Sequence, residues 1–367
     1  MTDLDSLHLR SALALAEQAI GLSDPNPRVG CVLTSASGTV VLGQGHTQAA
    51  GQAHAEVMAL RDAAQRGSDL RGGTAYVTLE PCSHHGRTPP CCDALVATGL
   101  ARVVVALGDP NPAVNGQGVA RLRAAGMQVE WATEEIAQAA RELNIGFMAR
   151  MERGRPWVRA KAACSLDGRT ALVDGQSQWI TGPEARADGH AWRKRAGAVL
   201  SGVGTVLADD PRLDVRLVAT HLQPQRVIVD ARLDTPPNAQ IFSSGAAPLM
   251  VAAQPSPERV AALQARGAEV LCLPNGQGRV DLAALLTEMA QRGINELHVE
   301  AGAGLNGGLA QANLVDEWLV YMAPILMGPG RALAELPALS DLAQAQRWRY
   351  QDITPVGPDL RLRLRRL

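Results

Sequence analysis

Three short stretches of this chain carry residue types that can hold a metal and move protons: His54-Ala55-Glu56, Pro81-Cys82 and Cys91. One imidazole and two thiolates make three ligands for zinc. A fourth position then stays open for water, as a catalytic rather than a structural site requires. Zinc lowers the pKa of such a water toward neutrality. Glu56, two residues from His54, is placed to shuttle protons without binding the metal. The order His-x-Glu, then Pro-Cys with a later Cys, is the arrangement used for hydrolytic removal of an exocyclic amine from a nucleobase. Cys92 adjoins Cys91, but successive residues point in different directions, so one of the pair faces the metal. His84 and His85 read as loop or substrate contacts, and Cys31, Cys164 and Cys272 as core residues.

Elements must position these groups. Leu9, Leu13, Ala16 and Ile20 recur at helical spacing, which predicts a helix over 7–20. Strands are expected at 29–33, 39–42, 75–79, 103–107 and 129–131, with helices at 54–65, 89–98 and 119–125 between them. The charged run 150–156 reads as a break. A domain boundary follows near 149, giving domains 1–149 and 150–367. The second half restarts the alternation, with strands from Trp157, Ala198, Arg226, Pro248, Glu269, Glu296 and Glu317 and helices near 183–195, 256–266, 280–292 and 305–312. The expected class is α/β, with helices covering mostly buried sheets.

Composition narrows the function. The 367 residues are 46% hydrophobic and 19% charged, with a formal net charge of −1. A nucleic-acid binder usually carries a basic surplus, and the only Arg-rich run is the short tail Arg361, Arg363, Arg365 and Arg366. No stretch approaches the length of a membrane span, and the N-terminus lacks the positive charge of a signal peptide. With three of six cysteines clustered at 82–92, a cytoplasmic protein using thiols for metal rather than disulfides is expected.

The string Thr78-Leu79-Glu80-Pro81-Cys82-Ser83-His84-His85-Gly86-Arg87-Thr88-Pro89-Pro90-Cys91 makes the resemblance specific. Eight residues separate the cysteines, where other zinc deaminases have two. This enlarged loop resembles the deaminase domain of the bifunctional riboflavin-biosynthesis deaminase/reductase family, as does Pro25-Asn26-Pro27-Arg28-Val29-Gly30. The resemblance implies a cytidine-deaminase-like three-layer N-terminal domain, with His54, Cys82 and Cys91 as zinc ligands and Glu56 as proton carrier.

In the second half, strand 296–300 runs into Gly302-Ala303-Gly304-Leu305-Asn306-Gly307-Gly308, a glycine-rich turn opening a helix. Free N–H groups and the positive helix end there suit a pyrophosphate, although the turn is not the dinucleotide-binding G-x-G-x-x-G. With Lys161 to Arg169, Ser177 to Thr181 and Gly202 to Arg216, it resembles the reductase domain of the same family, similar in fold to dihydrofolate reductase. The resemblance implies NADPH contacts at Ala163, Trp179, Thr205, Asp209 and residues 302–308. It implies substrate contacts at Ser177, Arg193, Leu213, Arg216 and Glu300. Lys161 reads either as a group that polarises the substrate or as an exposed lysine. Arg153, Arg155, Arg159 and Arg195 read as solvated or salt-bridged. The residues themselves do not separate NADPH from NADH.

The implied reactions are deamination of 2,5-diamino-6-(5-phosphoribosylamino)pyrimidin-4-one and then reduction of its ribosyl chain to ribityl. The expected partner is that small pyrimidine ribosyl-phosphate, with no nucleic acid or membrane. The oligomeric state, a homo-oligomer included, stays open. Two rival readings are a tRNA base deaminase with an accessory domain, which predicts Cys-x-x-Cys and a basic face, and a zinc-stabilised binding module, which predicts a fourth protein ligand.

Overall fold

The computed structural model describes residues 1–83, 89–112, 114–243 and 245–367. They form two compact units, Met1–Gly154 and Arg155–Leu367.

The first unit runs α1 (Asp3–Glu17), β1 (Gly30–Thr34), β2 (Val41–His46), α2 (Ala55–Gln65), β3 (Thr74–Val77), α3 (Cys91–Val96), β4 (Arg102–Val105), α4 (Gln117–Ala124), β5 (Gln128–Trp131), α5 (Glu134–Leu143) and α6 (Ile145–Arg153). The sheet order is β2-β1-β3-β4-β5. β1 pairs antiparallel with β2 and β3, while β3, β4 and β5 are parallel. Strand residues alternate between faces, and both faces here are apolar. Cys31, Leu33, Ala75, Val77, Val103 and Val105 pack toward α2, α3 and α4. Val32, Tyr76 and Val104 pack toward α1 and α5. The result is a three-layer sandwich.

Helix α1 starts earlier than its apolar spacing predicts, because Thr2 and Asp5 form a reciprocal capping box. The partner of β1 lies at Val41–His46 rather than 39–42. Two glycines disguise it, and packing demands both. A Cβ at Gly43 would lie 2.4 Å from the Ala59 carbonyl oxygen, and one at Gly45 2.5 Å from Met58 Cβ. The expected polar break at 150–156 is in part helix: α6 reaches Arg153, held by buried Ile145, Phe147, Met148 and Ala149.

The second unit contains β6 (Trp157–Ser165), β7 (Arg169–Leu172), α7 (Pro183–Arg195), β8 (Ala198–Gly202), α8 (Val203–Asp209), β9 (Gln225–Val229), β10 (Leu249–Ala252), α9 (Pro257–Gln264), β11 (Glu269–Cys272), α10 (Leu282–Gln291), β12 (Glu296–Glu300), α11 (Ala303–Gln311), β13 (Glu317–Ala323), β14 (Gly330–Ala332), β15 (Trp348–Val356) and β16 (Asp359–Arg366). Nine strands form one sheet in the order β11-β10-β9-β8-β12-β6-β13-β16-β15. The seven from β11 to β13 are parallel, and β16 and β15 add an antiparallel edge. The carboxyl ends of β6, β8 and β12 therefore lie together, where open α/β sheets bind ligands.

The structure places the arginines and corrects one side-chain expectation, that for Cys272. The Arg-rich tail is strand β16. Its Arg361 pairs with Asp188 at 3.0 Å, while Arg363 and Arg365 reach Glu317 at 3.1 and 2.9 Å. Of the two readings of Arg159, solvated or salt-bridged, the second holds: it is 1% exposed and bonds Glu296 at 2.7 Å and Glu317 at 2.6 Å. Cys272 is exposed at the end of the edge strand β11 rather than in the core.

Candidate active sites

In the first unit, His54 is the N-cap residue of α2, and Glu56 lies in that helix's first turn. Cys82 sits beyond the end of β3, and Cys91 opens α3. These elements bring His54 Nδ1 to 3.7 Å from Cys82 Sγ and 3.4 Å from Cys91 Sγ. All three ligand atoms fall within 4.8 Å of one another. No fourth His, Cys, Asp or Glu joins this group among the described residues. One nitrogen and two sulfurs, with no fourth such ligand among the described residues, fit zinc in a catalytic setting.

Glu56 is only 3% exposed. Burial, and then the charge of Cys82, push its carboxyl up to about 7. The hydrogen bond with Cys91, together with His54, pulls the Cys82 thiol down, and that same contact and burial push Cys91 up. The hydrogen bond with Cys82 raises His54. Cys92 turns away, its Sγ donating to the Pro81 and Gly118 carbonyl oxygens at 3.3 and 3.5 Å. His84 and His85 lie outside the described residues. The 25–30 segment is held beneath by Arg28. Its main-chain N–H donates to Asn144 Oδ1 at 2.7 Å, and its Nη1 to the Leu143 carbonyl at 3.1 Å.

In the second unit, Glu300 ends β12 and Arg193 projects from α7. Arg193 Nη2 lies 2.9 Å from Glu300 Oε2, Nε donates to Oε1, and Nη1 donates to the Asp214 carbonyl at 2.8 Å. Arg216 is exposed and pairs with Asp214 at 2.7 Å. Ser177 Oγ donates to Asp209 Oδ1 at 3.3 Å, joining the β7–α7 loop to α8. Lys161 is half-buried on β6, in register with Glu300 of β12. Burial lowers its ammonium pKa, opposed by the Glu300 charge. Ala163 is half-buried on the same strand, and Thr205 half-buried on α8. Trp179 is 67% exposed, with the Arg186 guanidinium 4.5 Å above its ring. Leu213 is buried with a left-handed φ of 54°.

The glycine-rich turn divides in two. Nothing lies within 4 Å of a Cβ built on Gly302, at the open N-terminus of α11, so this end fits a pyrophosphate. The later residues pack inward. Leu305 lies against Gly202 and Gly308 against Leu282. A Cβ on Gly307 would sit 2.0 Å from the Glu335 carbonyl oxygen. Asn306 is buried, donating to the Ala301 and Leu333 carbonyls at 3.1 Å each.

Comparison with known proteins matches each unit to a family. The cytidine and deoxycytidylate deaminase zinc-binding region matches residues 2–107, and the RibD C-terminal domain matches 156–362. The riboflavin biosynthesis protein RibD of Escherichia coli strain K12 is 44% identical over 98% of this chain and 99% of its own length. The chain belongs to the RibD family. The RibD of Aquifex aeolicus is 39% identical over 98% of this chain and 97% of its own. Among solved structures, Acinetobacter baumannii RibD superposes with a TM-score of 0.89 at 40% identity, covering 99% of both chains. A diaminohydroxyphosphoribosylaminopyrimidine deaminase/5-amino-6-(5-phosphoribosylamino)uracil reductase from Thermotoga maritima gives 0.87 at 29% identity, again over 99% of both.

RibD membership makes the chain a bifunctional deaminase/reductase of riboflavin biosynthesis, with zinc as cofactor of the first activity and NADPH of the second. The fold is a cytidine-deaminase-like unit followed by a RibD reductase unit. Among the described residues, no helix is long and apolar enough to cross a membrane. Sequence reasoning missed Glu80, a buried carboxylate two residues before Cys82. Its only signal was an acid among apolar neighbours in Thr78-Leu79-Glu80-Pro81.

Proposed function

We propose that the segment up to about residues 149–154 removes the exocyclic amine of 2,5-diamino-6-(5-phosphoribosylamino)pyrimidin-4-one by hydrolysis. The remainder, to residue 367, then reduces the ribosyl side chain of the product to ribityl. The observation that carries this reading is the convergence of His54 Nδ1, Cys82 Sγ and Cys91 Sγ beside the buried Glu56 carboxyl.

His54, Cys82 and Cys91 hold the zinc, which when bound supplies the Lewis acidity that makes water a nucleophile near neutral pH. Glu56 takes the proton from the attacking water at its carboxylate and returns it to the departing amine nitrogen. A buried carboxyl beside the three ligands suits both directions of that transfer. Cys92 Sγ is engaged by main-chain carbonyls and adds no fourth ligand, which favours catalysis over a purely structural zinc.

In the reductase, NADPH supplies the hydride for C1′ of the opened sugar. The open first turn of α11, Gly302 to Gly304, receives its pyrophosphate, and Leu305 to Gly308 shape that turn from behind. Ala163, Trp179, Thr205 and Asp209 line the cofactor side. Ser177, Leu213, Arg216 and Glu300 line the substrate side, where the exposed Arg216 guanidinium binds phosphate. Arg193 takes part through Glu300, whose carboxylate it orients. A formal net charge of −1 and six free cysteines favour a small-molecule partner and the cytoplasm. A homo-oligomer is compatible with this reading.

The test is metal content together with ammonia release from the diaminopyrimidine, comparing wild type with Glu56→Ala. About one zinc per chain in both, with ammonia from the wild type alone, is the expected result. NADPH oxidation by the deaminated product then tests the second unit. Zinc without ammonia release from the wild type would overturn the assigned substrate.

A further inference from the structure

Cys82 reaches the ligand group from a loop rather than from a helix or strand, so its position depends on what holds that loop. The carboxylate of Glu80 accepts three main-chain N–H groups from the segment that leads into α4. Oε2 takes Gly116 at 3.0 Å and Asp109 at 3.4 Å, and Oε1 takes Val119 at 3.1 Å. Gly116 is the N-cap residue of α4 and has no side chain with which to cap it. Glu80 therefore supplies the cap from a distant part of the chain, placing negative charge at the positive end of the helix.

The same segment closes on the residue between Glu80 and Cys82. A Cβ on Gly118 would lie 2.0 Å from the Pro81 carbonyl oxygen. Cys92 Sγ bridges that oxygen and the Gly118 carbonyl, and Cys92 N–H donates to the Cys82 carbonyl at 3.2 Å. Glu80, Gly118 and Cys92 thus grip Pro81-Cys82 from three sides, and one of the three adjoins Cys91.

We propose that Glu80 is a positioning residue for the metal centre: by capping α4 across the chain it sets Cys82 Sγ relative to Cys91 and His54. This inference rests on the assignment of those three residues as ligands. Both carboxylate oxygens are acceptors, so the amide of a glutamine would turn its NH2 group toward an N–H donor at almost unchanged volume.

The experiment uses the full-length, zinc-loaded enzyme and follows zinc transfer to excess EDTA. The cobalt-substituted enzyme is examined for its thiolate-to-metal absorption, the calorimetric transition of the first unit serves as a check on its folding, and NADPH-dependent reductase activity is the control on the second. Glu80→Gln is expected to release zinc about 10-fold faster or more and to shift the cobalt band, with reductase activity retained. Wild-type release with an unaltered band would overturn the proposal, even if the melting temperature falls. Should Glu80→Gln fail to fold, Cys92→Ala and Cys92→Ser test the same grip. Faster release in the alanine variant, restored in the serine variant that can still donate, supports it. Wild-type release in both overturns it. Cys82→Ala is the control: if it keeps zinc, the ligand assignment itself fails and the grip fails with it.

Discussion

Arg193 and Glu300 meet side-on, with Nη2 at 2.9 Å from Oε2 and Nε donating to Oε1. Burial alone would raise the Glu300 carboxyl, but the Arg193 charge and hydrogen bond hold it well below the usual carboxylate range. A lysine at 193 keeps the charge and loses the fork. Arg193→Lys is expected to lower reductase kcat/KM by about tenfold, on the order of 1.4 kcal/mol, with ammonia release unchanged. Steady-state NADPH oxidation measures it, and wild-type kcat/KM would remove Arg193 from the site.

Glu56 faces the thiol pair from the first turn of α2. Replacing it by glutamine preserves size and removes the proton acceptor. Glu56→Gln should lose about 10²- to 10⁴-fold in deamination while retaining zinc and reductase activity. Metal analysis beside both assays decides the point, because loss of zinc would make the glutamate structural.

Asp5 ties the start of the chain to the sheet. Its carboxylate bonds Arg102 Nη1 at 2.7 Å and accepts from the Tyr76 hydroxyl at 2.8 Å. The Arg102 hydrogen bond, against the effect of burial, holds Asp5 far below its ordinary value. A depressed folded-state pKa contributes stability above about pH 4 and loses it as pH falls toward the folded value. Asp5→Asn should cost the first unit about 2 kcal/mol at pH 7 and flatten its stability between about pH 4 and 2. Calorimetry across that range checks both effects.

Arg159 is buried between Glu296 and Glu317, with the Trp192 ring centroid 4.5 Å from its guanidinium carbon. Arg159→Met leaves these two carboxylates in contact with fewer positive groups, since Arg195, Arg363 and Arg365 remain. A loss of about 3 kcal/mol in the second unit is expected, read as a lower denaturant midpoint.

What the sequence made legible was local or periodic. His54 and Glu56 share a helix start, and strands such as Val103 to Val105 are apolar on both faces. The residue pattern carried an α/β class, and the cytidine-deaminase-like and reductase folds came from the family resemblance of particular segments. Long-range partners left no trace. Glu80 and Val119 are 39 positions apart, and Arg159 and Glu317 are 158 apart. Glu80, Arg159 and Glu317 look like ordinary charged residues until the chain folds. Gly43 and Gly45 extend β2 beyond the expected 39–42, and the reason for their presence lies in α2. Cys272 looked apolar enough for a core, but it ends an edge strand, where one flank has no neighbour.

Those two glycines of β2 also bear on how the family can vary. With no Cβ on its inward face, β2 lets α2 settle against the sheet, and α2 begins next to His54 and carries Glu56 inward. Any side chain at 43 or 45 would lift the helix and move the deaminase chemistry with it. Neutral drift should therefore be nearly closed at these two inward positions and open at their outward neighbours, Val41 and Gln44, which are exposed or half-exposed. A deep mutational scan selected only for folding would record the same asymmetry.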